Sequence, residues 1–364
     1  VFLPPMAKPP PAKVVQIAEK ARNGLRSLER KLAPPELGLL GFVSDLWGFQ
    51  IVYTLAELQV VDALKGGPRR AEAVATEIGV DSDHLYRLLR AATHFDIVRE
   101  EPDRSFSLLP MGVALCDVEN ESFRDFLILE GRVGWRFWGR LKDSVRQGKT
   151  AIEIETGKKP FEYLVGDENA RHVFNRAMTA ISAVSAEAFV AAYDLSGFRH
   201  IVDVGGGLGR LLSAMLVQAP LAKGVLFDLP EVVADAPPVL EALGTKSRVE
   251  IVGGSFFESV PAGAELYVMK SIIHDWADDE ALKILENVRR AATPSSKLVL
   301  YETVVTPPNV KHFAKLLDIE MIVHAGGRER TRDEYAELFR KAGFRLSRLI
   351  PSAGPASVIE ALPA

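Results

Sequence analysis

Short apolar runs alternate with amphipathic segments throughout residues 193–364. Residues 201–204 and 224–227 are apolar runs of strand length, and residues 211–216 between them carry apolar side chains at helical spacing. The later predicted elements are strands at 249–252, 265–270 and 297–301, helices at 281–292 and 333–342, and a closing hairpin of 344–350 with 356–361. Strands that alternate with helices are typical of a doubly wound, mostly parallel sheet, so the pattern predicts a Rossmann-like α/β domain.

The pattern in the N-terminal part of the chain is different. Residues 13–32 form a charged segment compatible with a helix, which predicts an arm that is solvated or contacts a partner. Residues 37–64 are apolar on almost every side, which predicts one or two largely buried helices. Such helices need cover from elsewhere, for example from a second subunit.

A compact pattern of helix, turn, helix and hairpin follows. Its parts are helices at 70–78 and 83–94, a cap at Asp81 or Ser82, and strands at 97–100 and 105–108 around the turn signal Pro102-Asp103. This order predicts a winged helix. Residues 119–192 then have helical character in several pieces, with aromatic and methionine side chains that could line an apolar pocket.

These patterns divide the chain into four parts. They are a Pro-rich and helical N-terminal arm at 1–34, a winged-helix domain suited to packing or dimerisation at 35–118, a helical linker and pocket region at 119–192, and an α/β domain at 193–364.

Composition and charge exclude several functions. A net charge of -4 over 364 residues gives no general attraction to nucleic acid or to an anionic membrane. Winged helices often bind DNA, but acidic residues accompany the arginines of the second helix and the wing, so no basic face results. Cys116 is the only cysteine, which excludes an intrachain disulfide and suits a reducing compartment. We therefore expect a cytoplasmic protein that binds neither nucleic acid nor a membrane.

A glycine-rich turn forms the first candidate site. The strand that contains Asp203 runs into Gly205, Gly207 and Gly209, and a predicted helix follows. Glycines let the backbone approach a ligand closely, and a helix N-terminus favours a negative group. The spacing G-x-G-x-G differs from the nicotinamide-binding G-x-G-x-x-G and favours a nucleoside without a pyrophosphate, such as S-adenosylmethionine (SAM). Asp228 ends the second strand, where an acidic residue binds the ribose in such units.

His274 is the second candidate, because it follows the strand predicted at 265–270. A histidine at the ligand-binding edge of an α/β sheet can act as a general base near neutral pH. Glu302 and Glu329 fall near other strand ends, and a carboxylate that accepts a hydrogen bond from the imidazole would orient the ring. Metal binding is the alternative, but no H-x-x-x-H pattern or cysteine set supports it, so no metal is expected.

Four motifs together resemble the SAM-dependent O-methyltransferases of the plant caffeate type and the vertebrate acetylserotonin type, a group that includes bacterial tailoring enzymes. The motifs are VDVGGG at 202–207, FDLP at 227–230, HDW at 274–276 and GGRERT at 326–331. The resemblance implies a class I methyltransferase fold and a homodimer formed through the N-terminal domain. It also implies methyl transfer from SAM to a hydroxyl of a small aromatic molecule, with S-adenosylhomocysteine as the second product.

The resemblance further implies a role for each matched residue. His274 would be the base, with Glu302 and Glu329 beside it. The residues implied to contact SAM are Ser182, Asp203, Gly205, Gly207, Asp228, Leu229, Ser255, Phe256 and Lys270. Those implied to contact the acceptor are Trp135, Phe174, Met178 and Asp275.

Ser255 departs from the family pattern, which usually has an acidic residue after the glycine pair 253–254. A serine can still bond to the adenine amino group, but without charge, so we expect an effect on SAM affinity. Two alternatives stay open. One is an N-methyltransferase or another SAM-dependent tailoring enzyme on the same fold, and the other is a winged-helix DNA-binding regulator that responds to SAM. His274 favours an oxygen acceptor, because a nucleophilic nitrogen has less need of a base.

Overall fold

The computed structural model describes residues 9–32, 34–117 and 123–364. The first eight residues of the predicted arm, Ala33, and the predicted boundary between the dimerisation domain and the linker lie outside the described residues. The described chain forms two compact units. The first contains Ala21–Arg136 and Leu164–Ile181, and the second contains Phe137–Tyr163 and Ser182–Ala364 together with residues 9–20.

Helices and strands are numbered here in chain order. The α-helices are α1 (Ala12–Leu32), α2 (Pro35–Glu57), α3 (Val60–Ala63), α4 (Ala71–Ile78), α5 (Ser82–Ala92), α6 (Pro110–Ala114), α7 (Arg124–Leu129), α8 (Trp135–Trp138), α9 (Leu141–Gln147), α10 (Ala151–Thr156), α11 (Pro160–Gly166), α12 (Glu168–Ala192), α13 (Arg210–Gln218), α14 (Pro230–Val233), α15 (Ala236–Ala242), α16 (Asp278–Ala291), α17 (Ala314–Val323) and α18 (Arg332–Lys341). The strands are β1 (Arg69–Arg70), β2 (Val98–Glu100), β3 (Ser105–Leu108), β4 (His200–Val204), β5 (Lys223–Asp228), β6 (Val249–Gly253), β7 (Leu266–Lys270), β8 (Lys297–Val305), β9 (Arg330–Thr331), β10 (Phe344–Pro351) and β11 (Ala356–Pro363).

The first unit contains the predicted helix–turn–helix–hairpin. Helices α4 and α5 precede an antiparallel sheet of order β1-β3-β2. The predicted cap of α5 is present, since the Asp81 carboxylate accepts a hydrogen bond from the His84 backbone N–H at 2.8 Å. Val74, Leu89 and Phe106 are fully buried and form part of the core of this unit.

Within this chain helix α2 is not largely buried, in contrast to the burial predicted for residues 37–64. Its buried residues are Gly48, Leu55 and Ala56. Its exposed apolar residues are Leu37, Leu39, Leu40, Phe42, Val43, Leu46 and Trp47. Helices α5 and α7 cover one side of α2, and the described chain supplies no cover for the rest. In length and composition α2 could also cross a membrane, with 17% of its most apolar window buried.

The second unit is built on a mixed sheet of order β10-β11-β8-β7-β4-β5-β6, with β9 paired to β8. Strands β4 to β8 are parallel, and the hairpin β10–β11 joins β8 antiparallel, which confirms the predicted doubly wound sheet. Successive residues point to opposite faces: Ile201 packs in one hydrophobic cluster and Val202 in the other. The carboxyl ends of the parallel strands therefore meet at one edge of the sheet.

Strand β10 forms an outer edge of this sheet. It carries Arg345, Arg348 and Pro351, and a bulge between Leu346 and Arg348 interrupts its pairing with β11.

Candidate active site

His274 lies on a short turn that follows β7. The chain leaves the strand through Ser271, whose φ of 53° is in the left-handed region, and forms a 3₁₀ turn at Ile273–Asp275. One oxygen of Glu302 accepts hydrogen bonds from the backbone N–H groups of Ile272 at 3.0 Å and Ile273 at 2.9 Å. Glu302 therefore holds the turn as well as contributing charge. It also lies within β8, which continues to Val305, and not past the strand end as the sequence pattern predicted.

Three carboxylates surround the imidazole of His274. Its Nδ1 lies 2.7 Å from Glu329 Oε1 and 3.8 Å from Glu302 Oε2, while its Nε2 lies 3.5 Å from Asp275 Oδ1. The His274 side chain is 11% exposed, and both glutamate side chains are fully buried. A hydrogen bond donated from Nδ1 to Glu329 leaves Nε2 as the ring nitrogen that can exchange a proton with an acceptor.

These carboxylates favour the protonated imidazole. Burial lowers the pKa of His274, but the charges of Glu302 and Asp275 and the hydrogen bond to Glu329 outweigh it and raise the pKa to about 10. Burial raises the pKa of Glu302 to about 7, against the opposing effect of His274. Glu302 Oε2 and Glu329 Oε2 are buried and find no hydrogen-bond partner among the described residues. The site thus stabilises positive charge on His274.

The glycine-rich turn after β4 adopts the geometry that its sequence predicted. Gly205 and Gly207 have φ values of 71° and 59°, which L side chains rarely adopt. The Gly207 N–H donates to Asp228 Oδ2 at 2.8 Å, and the Leu229 N–H donates to Asp228 Oδ1 at 2.7 Å. A Cβ at Gly207 would meet no atom within 4 Å, so space is open beside this backbone.

Asp203 and Lys270 are charged residues at the ends of the neighbouring strands β4 and β7. Burial raises the pKa of Asp203 to about 7, opposed mainly by the charge of Lys270. Burial lowers the pKa of Lys270, opposed by the charges of Asp203 and Glu302. Asp203 Oδ2 is buried without a hydrogen-bond partner among the described residues, so it is an acceptor that a donor on a ligand can satisfy.

Ser255 and Phe256 follow β6 at the same edge of the sheet. The Ser255 hydroxyl accepts a hydrogen bond from the Phe257 N–H at 3.3 Å. The ring of Phe256 packs edge-on against Phe257, at 5.0 Å between centroids, and against Trp276, at 5.9 Å. These rings link the β6 loop to the turn that carries His274.

Four of the predicted site residues make no contact described here with His274 or the glycine-rich turn. Trp135, Phe174 and Met178 belong to the first unit, where Phe174 and Met178 pack with the buried Val173 and Ala177 on α12. Trp135 is 41% exposed and stacks on Phe49 at 5.8 Å. Ser182 is half-buried on the part of α12 that belongs to the second unit. The roles of these four residues stay predictions.

Two residues of the 326–331 motif support the site and were not singled out in the sequence. A Cβ at Gly327 would clash with the backbone of His274, Asp275 and Trp276, so the motif packs directly on the turn. Arg330 is 1% exposed and bonds to carbonyl oxygens of the same turn. Their place in a motif beside Glu329 was the available signal, but a pattern of spacing does not reveal such contacts.

The residues present fit a SAM molecule better than a metal ion. The open backbone at Gly207, the carboxylate of Asp228 and the unsatisfied oxygen of Asp203 can receive a nucleoside with an ammonium group. Among the described residues, no group of three or more His, Cys, Asp or Glu side chains is arranged to hold a metal ion.

Comparisons with known proteins agree with this geometry. A family model described as the O-methyltransferase domain matches residues 138–345, and one described as the O-methyltransferase dimerisation domain matches residues 42–117. The phenazine O-methyltransferase PhzM of Lysobacter antibioticus is 36% identical over 325 residues, which cover 89% of this chain and 95% of the relative. This chain belongs to the SAM-dependent O-methyltransferase family.

Two further relatives show the range of this family. The 8-amino-8-demethylriboflavin N,N-dimethyltransferase of Streptomyces davaonensis is 32% identical over 315 residues, covering 85% of this chain and 90% of the relative. The crystal structure of human N-acetylserotonin methyltransferase in complex with SAM matches with a TM-score of 0.84 and 25% identity, covering 91% of this chain and 99% of the human chain. The protein is therefore an enzyme of class I methyltransferase fold that uses SAM as its methyl donor.

Proposed function

We propose that this O-methyltransferase methylates a phenolic hydroxyl of a small aromatic molecule and that His274 is its general base. The observation that supports the proposal is the buried imidazole with Glu329 on Nδ1 and a second ring nitrogen left for an acceptor. A histidine held in one tautomer by a carboxylate can accept a proton at its other nitrogen.

The donor site is proposed to use the residues around the glycine-rich turn. Asp228 would bind the ribose hydroxyls, Ser255 and Phe256 the adenine, and Lys270 would close over the adenosine end. The remaining proposed contacts are Ser182, Asp203, Gly205, Gly207 and Leu229. When bound, SAM supplies a methyl group on a positively charged sulfur.

The Nε2 atom of His274 accepts the proton of the acceptor hydroxyl. The resulting oxyanion has the lone pair that forms the new bond to the methyl carbon. The carboxylates raise the pKa of His274 towards that of a phenol, near 10, which makes proton transfer from a phenol less uphill than transfer to an ordinary imidazole. An aliphatic alcohol is a much weaker acid and would not be deprotonated by this imidazole. Glu302 and Glu329 stabilise the imidazolium that forms.

The acceptor ring is proposed to lie against apolar side chains that exclude water. Phe174, Met178 and Trp135 would supply these walls, and Asp275 would contact the acceptor beside His274 Nε2. An N-methyltransferase is the second candidate, because one relative transfers methyl groups to nitrogen. The carboxylate-held His274 favours oxygen, since an amine needs no base of this strength.

A homodimer formed through the N-terminal region is part of the proposal. Helix α1 exposes an apolar stripe of Val14, Ile17, Leu25, Leu28 and Leu32, and its half-buried side, at Val15 and Glu19, faces the other way. Helix α1 carries six basic and two acidic side chains, whereas helix α2 carries three acidic side chains, Glu36, Asp45 and Glu57, and no basic one. The exposed faces of α1 and α2 in a second copy therefore complement each other in apolar surface and in charge.

The location proposed for the enzyme is the cytoplasm, which suits a chain whose single cysteine, Cys116, cannot form an intrachain disulfide.

Replacement of His274 tests the proposed chemistry. We expect His274→Ala to retain SAM binding by calorimetry and to lose methyl transfer by roughly 10²–10⁴-fold, the range typical of general-base catalysis. His84→Ala is the matched control, because His84 is exposed in the first unit and pairs with Asp81. Acceptors would be phenols, hydroxyquinones and flavonoids beside the corresponding amines, with products identified by mass. Unchanged turnover in His274→Ala would remove His274 from its role, and preferred methylation of the amines would favour the second candidate.

A further inference from the structure

We propose that Arg330 is a positioning residue for His274. Its guanidinium holds the Ile273–Asp275 turn against the segment that carries Glu329, directly before β9, and so sets the distance between the imidazole and its carboxylate. The inference rests on the proposed role of His274 as the base.

Arg330 uses all five of its N–H donors within this region. Its Nη1 donates to the carbonyl oxygens of Ile273 at 3.0 Å and Arg328 at 3.3 Å, and its Nη2 donates to the carbonyl of Trp276 at 2.9 Å. Nε and Nη2 both donate to Asp278 Oδ1, at 3.0 and 2.7 Å. Arg330 is 1% exposed, so these bonds replace its entire hydration.

The turn is consequently held from two opposite sides. Glu302 accepts from the backbone N–H groups at the start of the turn, and Arg330 donates to carbonyl groups on either side of His274. The backbone of the 326–331 motif completes the attachment, because the Arg328 N–H donates to the His274 carbonyl at 2.8 Å. With these bonds in place, the backbone of His274 has little freedom to move.

Glu329 is the residue directly before Arg330, and Arg330 pairs with β8 at Val304. The Arg330 guanidinium therefore connects the turn that carries His274 with the segment that carries Glu329, its hydrogen-bond partner. A lysine has three donors on a single nitrogen and cannot replace five bonds that arise from three separate nitrogen atoms. Loss of the Arg330 guanidinium should loosen the 2.7 Å contact between His274 Nδ1 and Glu329 Oε1. The glycine-rich turn of the donor site should stay unchanged.

The test compares full-length Arg330→Lys with Arg328→Lys. Arg328 is the matched control, because its half-exposed side chain pairs with Glu334 and Asp278 and only its backbone reaches His274. For Arg330→Lys we expect wild-type SAM affinity and a fall in kcat on the order of 10²-fold, as for a displaced catalytic group. We also expect the His274 imidazole to titrate at lower pH by NMR, because its bond to Glu329 weakens. Arg328→Lys should match the wild type in all three measurements.

Asp278→Ala provides a second variant if Arg330→Lys does not fold, since it keeps the buried guanidinium and its three carbonyl bonds. A smaller loss of kcat with a titration shift in the same direction supports the proposal. Wild-type kcat and wild-type titration in a folded Arg330→Lys, or in Asp278→Ala when only that variant folds, would overturn it. The His274→Ala variant then separates the two proposals. If it also keeps its turnover, the proposed role of His274 as the base is refuted. If it is inactive, that role stands and only the positioning role of Arg330 is refuted.

Discussion

Glu329→Gln separates the charge of the carboxylate from its position beside the imidazole. Glutamine has nearly the same shape, and its amide oxygen can still accept the hydrogen bond from His274 Nδ1. The variant loses the negative charge 2.7 Å from the ring. Because that charge stabilises the imidazolium, its loss lowers the pKa of His274.

The size of the effect follows from the buried contact. A hydrogen bond to a charged group contributes about 1.5–3 kcal/mol, and each 1.36 kcal/mol corresponds to one pKa unit. The pKa of His274, about 10 in the native protein, should therefore fall by roughly one to two units. A weaker base transfers the proton less readily, so the rate at high pH should fall. More of the imidazole is neutral near pH 7, so the deficit should shrink as the pH is lowered.

The assay is kcat/KM measured across pH with one phenol of known pKa, together with NMR titration of the imidazole. Glu302→Gln is the companion variant, because its amide oxygen can still accept from Ile272 and Ile273 while the charge 3.8 Å from Nδ1 is lost. We expect both variants to move the acid limb of the profile to lower pH. If the acid limb and the imidazole titration of Glu329→Gln stay at the wild-type pH, the charge of Glu329 does not raise the pKa of His274, and this explanation of the site is refuted.

Two predictions concern other parts of the chain. Ser255→Asp restores the acidic residue that the family usually has, and a charge-assisted bond to the adenine amino group should tighten SAM binding by about tenfold, measured by calorimetry; unchanged affinity would show that Ser255 does not face the adenine. Ile17→Glu with Leu25→Glu places charge in the exposed stripe of α1 and should weaken the dimer in sedimentation analysis. Gln16→Glu with Lys20→Gln alters the net charge equally on another side of the helix and should weaken the dimer less, because the apolar stripe is kept. A wild-type chain that sediments as a monomer would contradict the homodimer itself.

Most of the fold could be predicted from local hydrophobic patterns in the sequence. The alternation of strand and helix periods predicted the sheet of the second unit, because each period records which faces of an element are buried. The cap at Asp81 was predicted in the same way, from residue type and position. The apolar pattern of helix α2 predicted that the helix needs cover, but it did not show how little of that cover the chain itself supplies.

The site was predicted in its parts but not in its connections. The resemblance placed Glu329 beside His274 across 55 residues of sequence, and the structure has that contact at 2.7 Å. The two bonds that Glu302 accepts and three of the five bonds that Arg330 donates involve backbone groups, so the residue types of their partners do not predict them. Trp135, Phe174 and Met178 belong to a different unit from His274, and their proposed place at the acceptor stays a prediction.

The irregular outer strand β10 has a consequence for how copies of this enzyme assemble. A free sheet edge can recruit a strand from a neighbouring molecule, which leads to uncontrolled fibrillar growth. The bulge at Leu346/Arg348, the cationic side chains and Pro351 make β10 a poor template for such addition. Self-association through this edge is therefore disfavoured, so β10 does not compete with the dimer proposed for the N-terminal region.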